Sequence, residues 1–496
     1  MKKIKKILIE SNPFETKTVI LNGKDVSELN IELNYNKDIA GNIYKGKVGR
    51  VIPSLKSAFI DIGLEKDGYL NLDDVKKHIY ETGLVDSEKD KKLQYSEKLK
   101  YFSGIKQGDE IIVQVIKGPI SEKGPKISLF VSIPGKYLVL LPGSSFVGVS
   151  KKIPSIKRRK QLVEFVRNSR SNEKLGFIIR TAAKDVDEKL ILDELNFFHR
   201  LWKKIDINAK KDAPRILYQE LPVYLKLIRN YFDLNTKVYV NSEDVYDKIK
   251  DFVSSFSSDA GKRIILKNDE LLFEQFGIKD LFDKTLLKKI WMPSGGYLVI
   301  EETEALTSID VNSGKYVSKG SKEQAFLKIN KEAAVEVARQ LIIRDIGGII
   351  IVDFIDMRQK KSREKLHDYF KEQLKNDPSN PRILNVSRFG LIEMTRKRTR
   401  GSTVSLITNA CPYCDGRGYI KSSEQVISDL YDDIIKNKAK FKGKKLVVYL
   451  HKDVEELINE KYLKLFYKIL KGTYIKIKFE ADDKVHRETF IIEFEN

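Results

Sequence analysis

The chain has 496 residues, 41% of them hydrophobic and 10% aromatic, which excludes a disordered protein and, at roughly 100 to 200 residues per domain, predicts about three to five structural units. Its 91 Lys and Arg against 70 Asp and Glu leave a formal charge of +21, so the field favours a polyanionic partner: nucleic acid first, an anionic membrane surface second, with a merely Lys-rich solvated surface as the bland alternative. No run approaches the ~18 apolar residues of a spanning helix, the start MKKIKKILIESNPFETK turns polar too soon for a signal peptide, and two cysteines supply no disulfide framework, so a cytoplasmic protein is expected.

Residues 41 to 75 break into short β-branched and aromatic runs at Pro53-Ser54, Gly63 and Lys66-Asp67-Gly68, the signal of a small β-barrel. A highly charged segment, 76 to 107, reads as a long loop or helical insertion, and GDEIIVQVIKG (108 to 118) supplies a further strand, so the barrel closes near 130. Phe59 and Tyr69 are the rings expected to stack on unpaired bases, and Lys117 and Lys123 flank a turn where they can meet backbone phosphate. Ordinary core packing and solvated lysines are the competing explanations.

YLVLLP (137 to 142) and GFIIRTAA (176 to 183) read as strands around a basic helix containing Lys157-Arg158-Arg159-Lys160. Helical periodicity runs from 187 to 233, its aromatics Phe197, Phe198, Trp202, Tyr218 and Tyr224 are expected in the core, and helices are expected to dominate to about 255. From 294 to 357 the pattern is strand, strand, helix, strand: SGGYLVIEE with ALTSIDVN as a hairpin, a helix opened by the capping pair Ser321 and Gln324 and stopped at Gly347-Gly348, then GGIIIVDFIDM. These are the parts of an α/β layer.

Asp310 and Asp353 each end a strand whose other residues want burial. If the strands are neighbours, the two carboxylates converge on one Mg²⁺, a hard cation that keeps waters for a substrate phosphate and can activate water for attack. Taken singly, either Asp is more often a turn cap. Asn312, two residues on and therefore on the same face, is placed to orient a carboxylate or a water; Asp356 is expected to face elsewhere. The five histidines, His78, His199, His367, His451 and His486, pair with no other in sequence, and neither GxxxxGK[ST] nor GxSxG occurs, which disfavours histidine-based cleavage, an ATPase and a serine hydrolase.

TRKRTRGS (395 to 402) adds four cations that either touch phosphate or are solvated. CPYCDGRG (411 to 418) sets Cys411 and Cys414 at the spacing of half a tetrahedral zinc site, with a redox pair as the lesser alternative. The other ligands are either histidines of this chain or the same pair from a second chain, which makes zinc a clamp across a two-fold axis. Strand-like KKLVVYL and YIKIKFEA follow.

With GNIYKGKV, PSLKSAFIDIG, IDVNSG, ARQLIIRDIGGIIIVDFIDM, SRFGLIEMTRKR and CPYCDGRG in this order, the chain resembles the ribonuclease E/G family across most of residues 40 to 420. The resemblance implies a multidomain α/β (α+β overall) fold: RNase H-like parts at 1–37 and 226–286, an inserted S1 (OB-fold) barrel at 38–130, a 5′-sensor region at 131–225, a DNase I-like catalytic part at 287–410, a zinc link at 411–418 and a small C-terminal domain at 419–496. It implies an Mg²⁺-dependent endoribonuclease that cuts single-stranded RNA, leaving 5′-phosphate and 3′-hydroxyl ends, in ribosomal RNA precursors and messenger RNA. Asp310 and Asp353 then hold Mg²⁺ with Asn312 beside them, and Cys411 and Cys414 are one protomer's share of an intersubunit zinc in a homodimer, with tetramers left open. It also implies a 5′-monophosphate pocket at Arg180 and Thr181, helped by Gly135 and Val139, and Phe59 and Tyr69 on the S1 face, where Tyr69 stands in place of the family's usual Phe. No long Arg- and Pro-rich scaffold tail is expected. The alternative is a non-catalytic S1-type RNA-binding protein.

Overall fold

The computed structural model describes residues 5–23, 25–35, 38–71, 104–119, 123–233, 235–254, 261–268, 271–314, 321–379, 381–387, 390–397, 401–472 and 474–495. Most of the charged segment 76–107 therefore lies outside the described residues, as do Arg398 and Arg400. The fold is mixed α/β, and the chain divides into two compact units, Met1–Leu406 and Ile407–Asn496.

In the first unit, a five-stranded sheet joins the chain start, Lys5–Ser11, Glu15–Asn22 and Asp25–Leu33, to the distant strands Thr236–Val240 and Ile264–Leu266. The barrel sits between these segments in sequence. Its strands Ile43–Ile52, Ser57–Asp61, Gly68–Asn71, Lys126–Ser128 and Glu110–Lys117 close when the last pairs antiparallel with the first, which leaves no free edge. Val48, Ala58, Ile60, Leu70, Val113, Val115 and Ile127 fill its interior. Gly46 and Gly68 are glycines of necessity, because a Cβ at either would stand 2.6 to 2.8 Å from an isoleucine methyl of that core.

The expected strands near 137 and 176 are Leu138–Pro142 and Leu175–Ile179, paired antiparallel, and the basic helix between them is Ile156–Ser169. The 187 to 255 region is less helical than its periodicity suggests: between the helices Glu188–Ala209 and Glu243–Ser254 lie the strands Arg215–Tyr218 and Thr236–Val240. The first pairs antiparallel with the barrel strand Ile43–Ile52 and the second joins the five-stranded sheet, so pairing partners from far away override local preference. Phe198 and Tyr224 are buried as expected, whereas Phe197 is 48% exposed.

The strand, strand, helix, strand segment forms as the pattern requires. Tyr297–Glu302 and Leu306–Asn312 are an antiparallel hairpin, and the helix Lys322–Ile343 begins where Ser321 accepts the Gln324 amide at 3.3 Å. Gly348, with φ +101, starts the strand Gly348–Asp353, which lies parallel beside Leu306–Asn312. A parallel neighbour needs a crossover, and the 22-residue helix is that crossover.

The six strands run in the order Lys289–Trp291, Tyr297–Glu302, Leu306–Asn312, Gly348–Asp353, Leu391–Arg396, Arg382–Ile383. Leu298, Ile300, Ile309, Val311, Ile350, Val352, Ile392 and Met394 point to one face and are buried with Val337, Leu341 and Phe370 of the helices, each worth ~1.5–3 kcal/mol of apolar burial. Every partner on the opposite face is half-buried or exposed, and this corrects one expectation: Ile349, in a run that reads as buried throughout, is 52% exposed.

The second unit contains the strands Lys445–Leu450, Lys476–Ala481 and Phe490–Glu495 around a core that includes Leu430, Leu446, Val448 and Phe479, with the helix Ser423–Lys436 packed on it. Among the described residues no helix is long and apolar enough to cross a membrane.

Candidate functional site

Because strand side chains alternate, Thr307, Ile309 and Val311 go into the core while Ser308, Asp310 and Asn312 go to the open face. The same alternation exposes Asp353. The parallel register sets Asp310 directly opposite Asp353, with strands spaced roughly 4.8 Å apart. Asn312 Nδ2 donates to Asp310 Oδ2 at 2.7 Å and fixes that carboxylate's orientation. The Asp353 carboxyl is pushed above its usual range by partial burial first, then by the charges of Asp310 and Asp356. Asp356 adds its charge to the field at Asp353, and it lines a cavity of about 180 Å³ with Arg363, Met357 and Gly390, whose lining includes neither Asp310 nor Asp353. Gly390 takes φ +84, and a Cβ there would stand 3.2 Å from Asp356 Oδ1.

Two carboxylates that repel across a strand pair, both open to solvent, suit a cation that takes one or two protein carboxylates and completes its shell with water and phosphate. Among the described residues no three of His, Cys, Asp or Glu come together as a cage.

Three of the four expected barrel residues, Phe59, Tyr69 and Lys117, fall into one register row. Phe59 pairs with Tyr69, Tyr69 with Lys126 and Lys126 with Lys117, and on the other side Phe59 pairs with Arg50. Phe59 and Tyr69 pack ring to ring at 5.6 Å, and the extra hydroxyl of Tyr69 is used in bonds with Ser57 Oγ (3.0 Å) and Asn71 Nδ2 (3.2 Å). Rings flanked by cations across the strands suit a single-stranded polyanion. Lys126 and Arg50 were not legible as candidates, since only pairing brings them beside the rings. Lys123 is exposed and lies outside this row.

In the region expected to bind a 5′-phosphate, Arg180 is brought to Gly135: its Nη1 donates to the Gly135 carbonyl and its Nη2 to Asn230 Oδ1 at 3.0 Å. Burial, then Arg229, lowers its pKa, against the pull of Glu194. Thr181 follows with its hydroxyl 2.9 Å from Ser150 Oγ, and Val139 lies on the adjoining strand, paired with Ile178 and packed toward the barrel core. The residue that sequence could not disclose is Glu194, whose buried carboxylate accepts the amides of Lys136, Tyr137 and Leu138 at 2.6 to 2.8 Å. A Cβ at Gly135 would collide with it at 2.6 Å.

In the second unit, Gly418 N donates to Cys414 Sγ at 3.3 Å, and the Tyr413 and Cys414 amides, then the Cys414 side chain, lower the Cys411 thiol. This is a thiolate-favouring loop, suited to half of a zinc site. His486 packs on Tyr413 with ring centres 4.2 Å apart, but its Nε2 bonds the Tyr413 carbonyl at 2.6 Å and its Nδ1 accepts the Glu488 amide at 3.2 Å. Both nitrogens are engaged, so it is not poised as a third ligand.

The TRKR run divides. Arg396 is buried with Asp377, Nε to Oδ2 at 2.8 Å and Nη2 to Oδ1 at 3.2 Å, and its Nη1 reaches Asp345 Oδ1 at 3.0 Å and the Ile346 carbonyl at 2.7 Å. Burial alone would lower its pKa; Asp377 and Asp345 together raise it. It is a structural cation, not a phosphate contact.

Together these arrangements describe a nuclease. The chain belongs to the ribonuclease E/G family, whose model it matches over residues 132–399, and it is an endoribonuclease. Among its relatives, Ribonuclease G of Haemophilus influenzae is 34% identical over 489 residues (98% of each chain), and Ribonuclease G of Escherichia coli strain K12 is 33% identical over 479 residues (96% of each). Ribonuclease E of Haemophilus influenzae is 31% identical over 428 residues, 85% of this chain but 45% of that protein.

Proposed function

We propose that the protein hydrolyses single-stranded RNA at the Asp310–Asp353 pair with Mg²⁺, and that it serves ribosomal RNA processing and messenger RNA decay. The observation that carries this reading is the parallel register that opposes the two carboxylates on an open sheet face. Asp310 and Asp353 would hold the ion, and the bond from Asn312 Nδ2 fixes the Asp310 carboxylate. Bound Mg²⁺ supplies charge neutralisation at the phosphate and acidifies water. Attack by water at phosphorus breaks the bond to the 3′ oxygen, which takes a proton, leaving 3′-hydroxyl and 5′-phosphate ends. The barrel row of Phe59, Tyr69 and Lys117, joined by Lys126, holds unpaired nucleotides. A 5′-labelled unpaired RNA should be shortened with Mg²⁺, left whole with EDTA, and cut in preference to DNA of the same sequence; cutting in EDTA sinks the metal reading.

Arg180, Thr181, Gly135 and Val139 form the 5′-monophosphate sensor in this proposal, because a guanidinium grips phosphate through paired donors. The wild type should cut 5′-monophosphorylated RNA about tenfold faster than 5′-hydroxyl RNA, the magnitude of one lost charge-assisted contact, and Arg180→Ala should erase most of that ratio. Equal wild-type rates would remove the sensor.

Cys411 and Cys414 are proposed to share one zinc with a second protomer. Metal analysis should find about half a zinc per chain, and the Cys411→Ser/Cys414→Ser variant should lose the metal and dissociate at a higher protein concentration. One zinc per monomer would exclude a shared site.

A further inference from the structure

The open face of the catalytic sheet carries a second cluster that the carboxylate pair does not use. Trp291 pairs with Tyr297, and Tyr297 pairs with Asn312 across the next strand. Paired residues share a face, so Trp291, Tyr297 and Asn312 form one row, with Asp310 two residues back on the same face. Trp291 is 60% exposed on the sheet's edge strand. Its ring centre lies 5.1 Å from that of Tyr297, the planes tilted by 58°. Lys289 Nζ sits 4.3 Å from the Trp291 ring centre and 3.7 Å from that of Tyr297.

An indole this open on an edge strand is a liability for edge-to-edge association unless it has a use. Lys289 partly guards the edge, and its contact with the rings alone is worth little at an exposed site. What sets the cluster apart from a solvated aromatic is its position, two strand spacings or roughly 10 Å from the strand of Asp310. It also repeats the chemistry of the barrel row, rings beside cations, on the same sheet face as the carboxylate pair.

We propose that Trp291 and Tyr297 form a stacking platform for an unpaired nucleobase next to the scissile phosphate, with Lys289 leaving the rings to meet the adjoining backbone phosphate. The subsite rests on the assignment of Asp310 and Asp353 as the cleavage pair. It takes a base by its π face, so it tolerates any sequence but rejects a paired strand, whose bases are already stacked. It also holds the backbone in register with the carboxylates.

The chain has two tryptophans, Trp202 and Trp291, so Trp202→Phe leaves Trp291 as the single indole emitter. In EDTA, titration of that variant with an unpaired RNA oligomer should quench its emission saturably, and the same sequence as a duplex should not. Trp291→Ala should weaken single-strand binding about tenfold, within the range for loss of one stacked base, while Trp291→Phe keeps most of it. With Mg²⁺, a substrate made abasic at one position beside the cut should lose about tenfold in kcat/KM with wild type and nothing further with Trp291→Ala. Unchanged emission at saturating RNA, or identical abasic profiles for wild type and Trp291→Ala, overturns the platform. The emission titration involves no cleavage, so it decides the platform even if Asp310 and Asp353 prove dispensable.

Discussion

Asp353→Asn is expected to reduce RNA cleavage by on the order of 10³-fold or more, while affinity for an unpaired oligomer stays near that of the wild type. The substitution keeps the size of the side chain and removes the charge that faces Asp310 across the parallel pair. What remains is a single carboxylate, which holds Mg²⁺ more weakly and in no fixed orientation. Asp310→Asn should behave alike, and it also disturbs the bond from Asn312 Nδ2. Folding should not suffer in either variant: both side chains are exposed, and Asp353 is already unfavourably placed beside Asp310 and Asp356. Wild-type cleavage by purified Asp353→Asn would end the two-carboxylate mechanism. RNA binding lost together with cleavage would show that the substitution had damaged more than the metal site.

Arg396→Ala should destabilise the first unit by about 3–5 kcal/mol, read as a lowered urea midpoint. The Arg396 and Asp377 side chains are 2% and 1% exposed, so the truncation leaves the Asp377 carboxylate buried without its cation and the Ile346 carbonyl without a donor. Arg396→Met with Asp377→Leu should recover most of the loss, because removing both partners leaves no orphaned charge. An unchanged midpoint in Arg396→Ala would mean that the pair contributes no net stability. There is also a route to function. Arg396 pairs in register with Gly348, the first residue of the strand that ends at Asp353, so loosening this corner loosens the support of the side chain proposed to hold the metal.

Arg396 illustrates where reading the chain stops. In sequence it is one of four cations in TRKRTR, indistinguishable from a phosphate contact, yet its partner lies 19 positions away and only folding buries the two together. Lys126 and Arg50 are the converse: ordinary lysine and arginine positions that become neighbours of Tyr69 and Phe59 through strand register. Glu194 sits on a helix with nothing to mark it, and acquires its role because the Lys136, Tyr137 and Leu138 amides arrive at its carboxylate. The Arg215–Tyr218 and Thr236–Val240 strands were hidden by helical periodicity on either side, since a strand that completes a sheet draws its stability from partners far along the chain.

By itself the sequence determined what depends on short-range order: the barrel's turn-punctuated strands, the capped crossover helix, the Cys-x-x-Cys turn, and the period-two pattern that sends Asp310 and Asn312 to one face. The order of its motifs was enough to place the chain in the ribonuclease E/G family. Only the tertiary structure decided that the Asp310 and Asp353 strands are parallel neighbours in exact register, that Arg396 is internal, and that Trp291 stands on the face that carries the carboxylates. The reason is physical. Periodicity along a chain reports which way each side chain points, but which strands pair, and in what register, follows from burying one whole face of the sheet against its helices, a condition that no local segment contains.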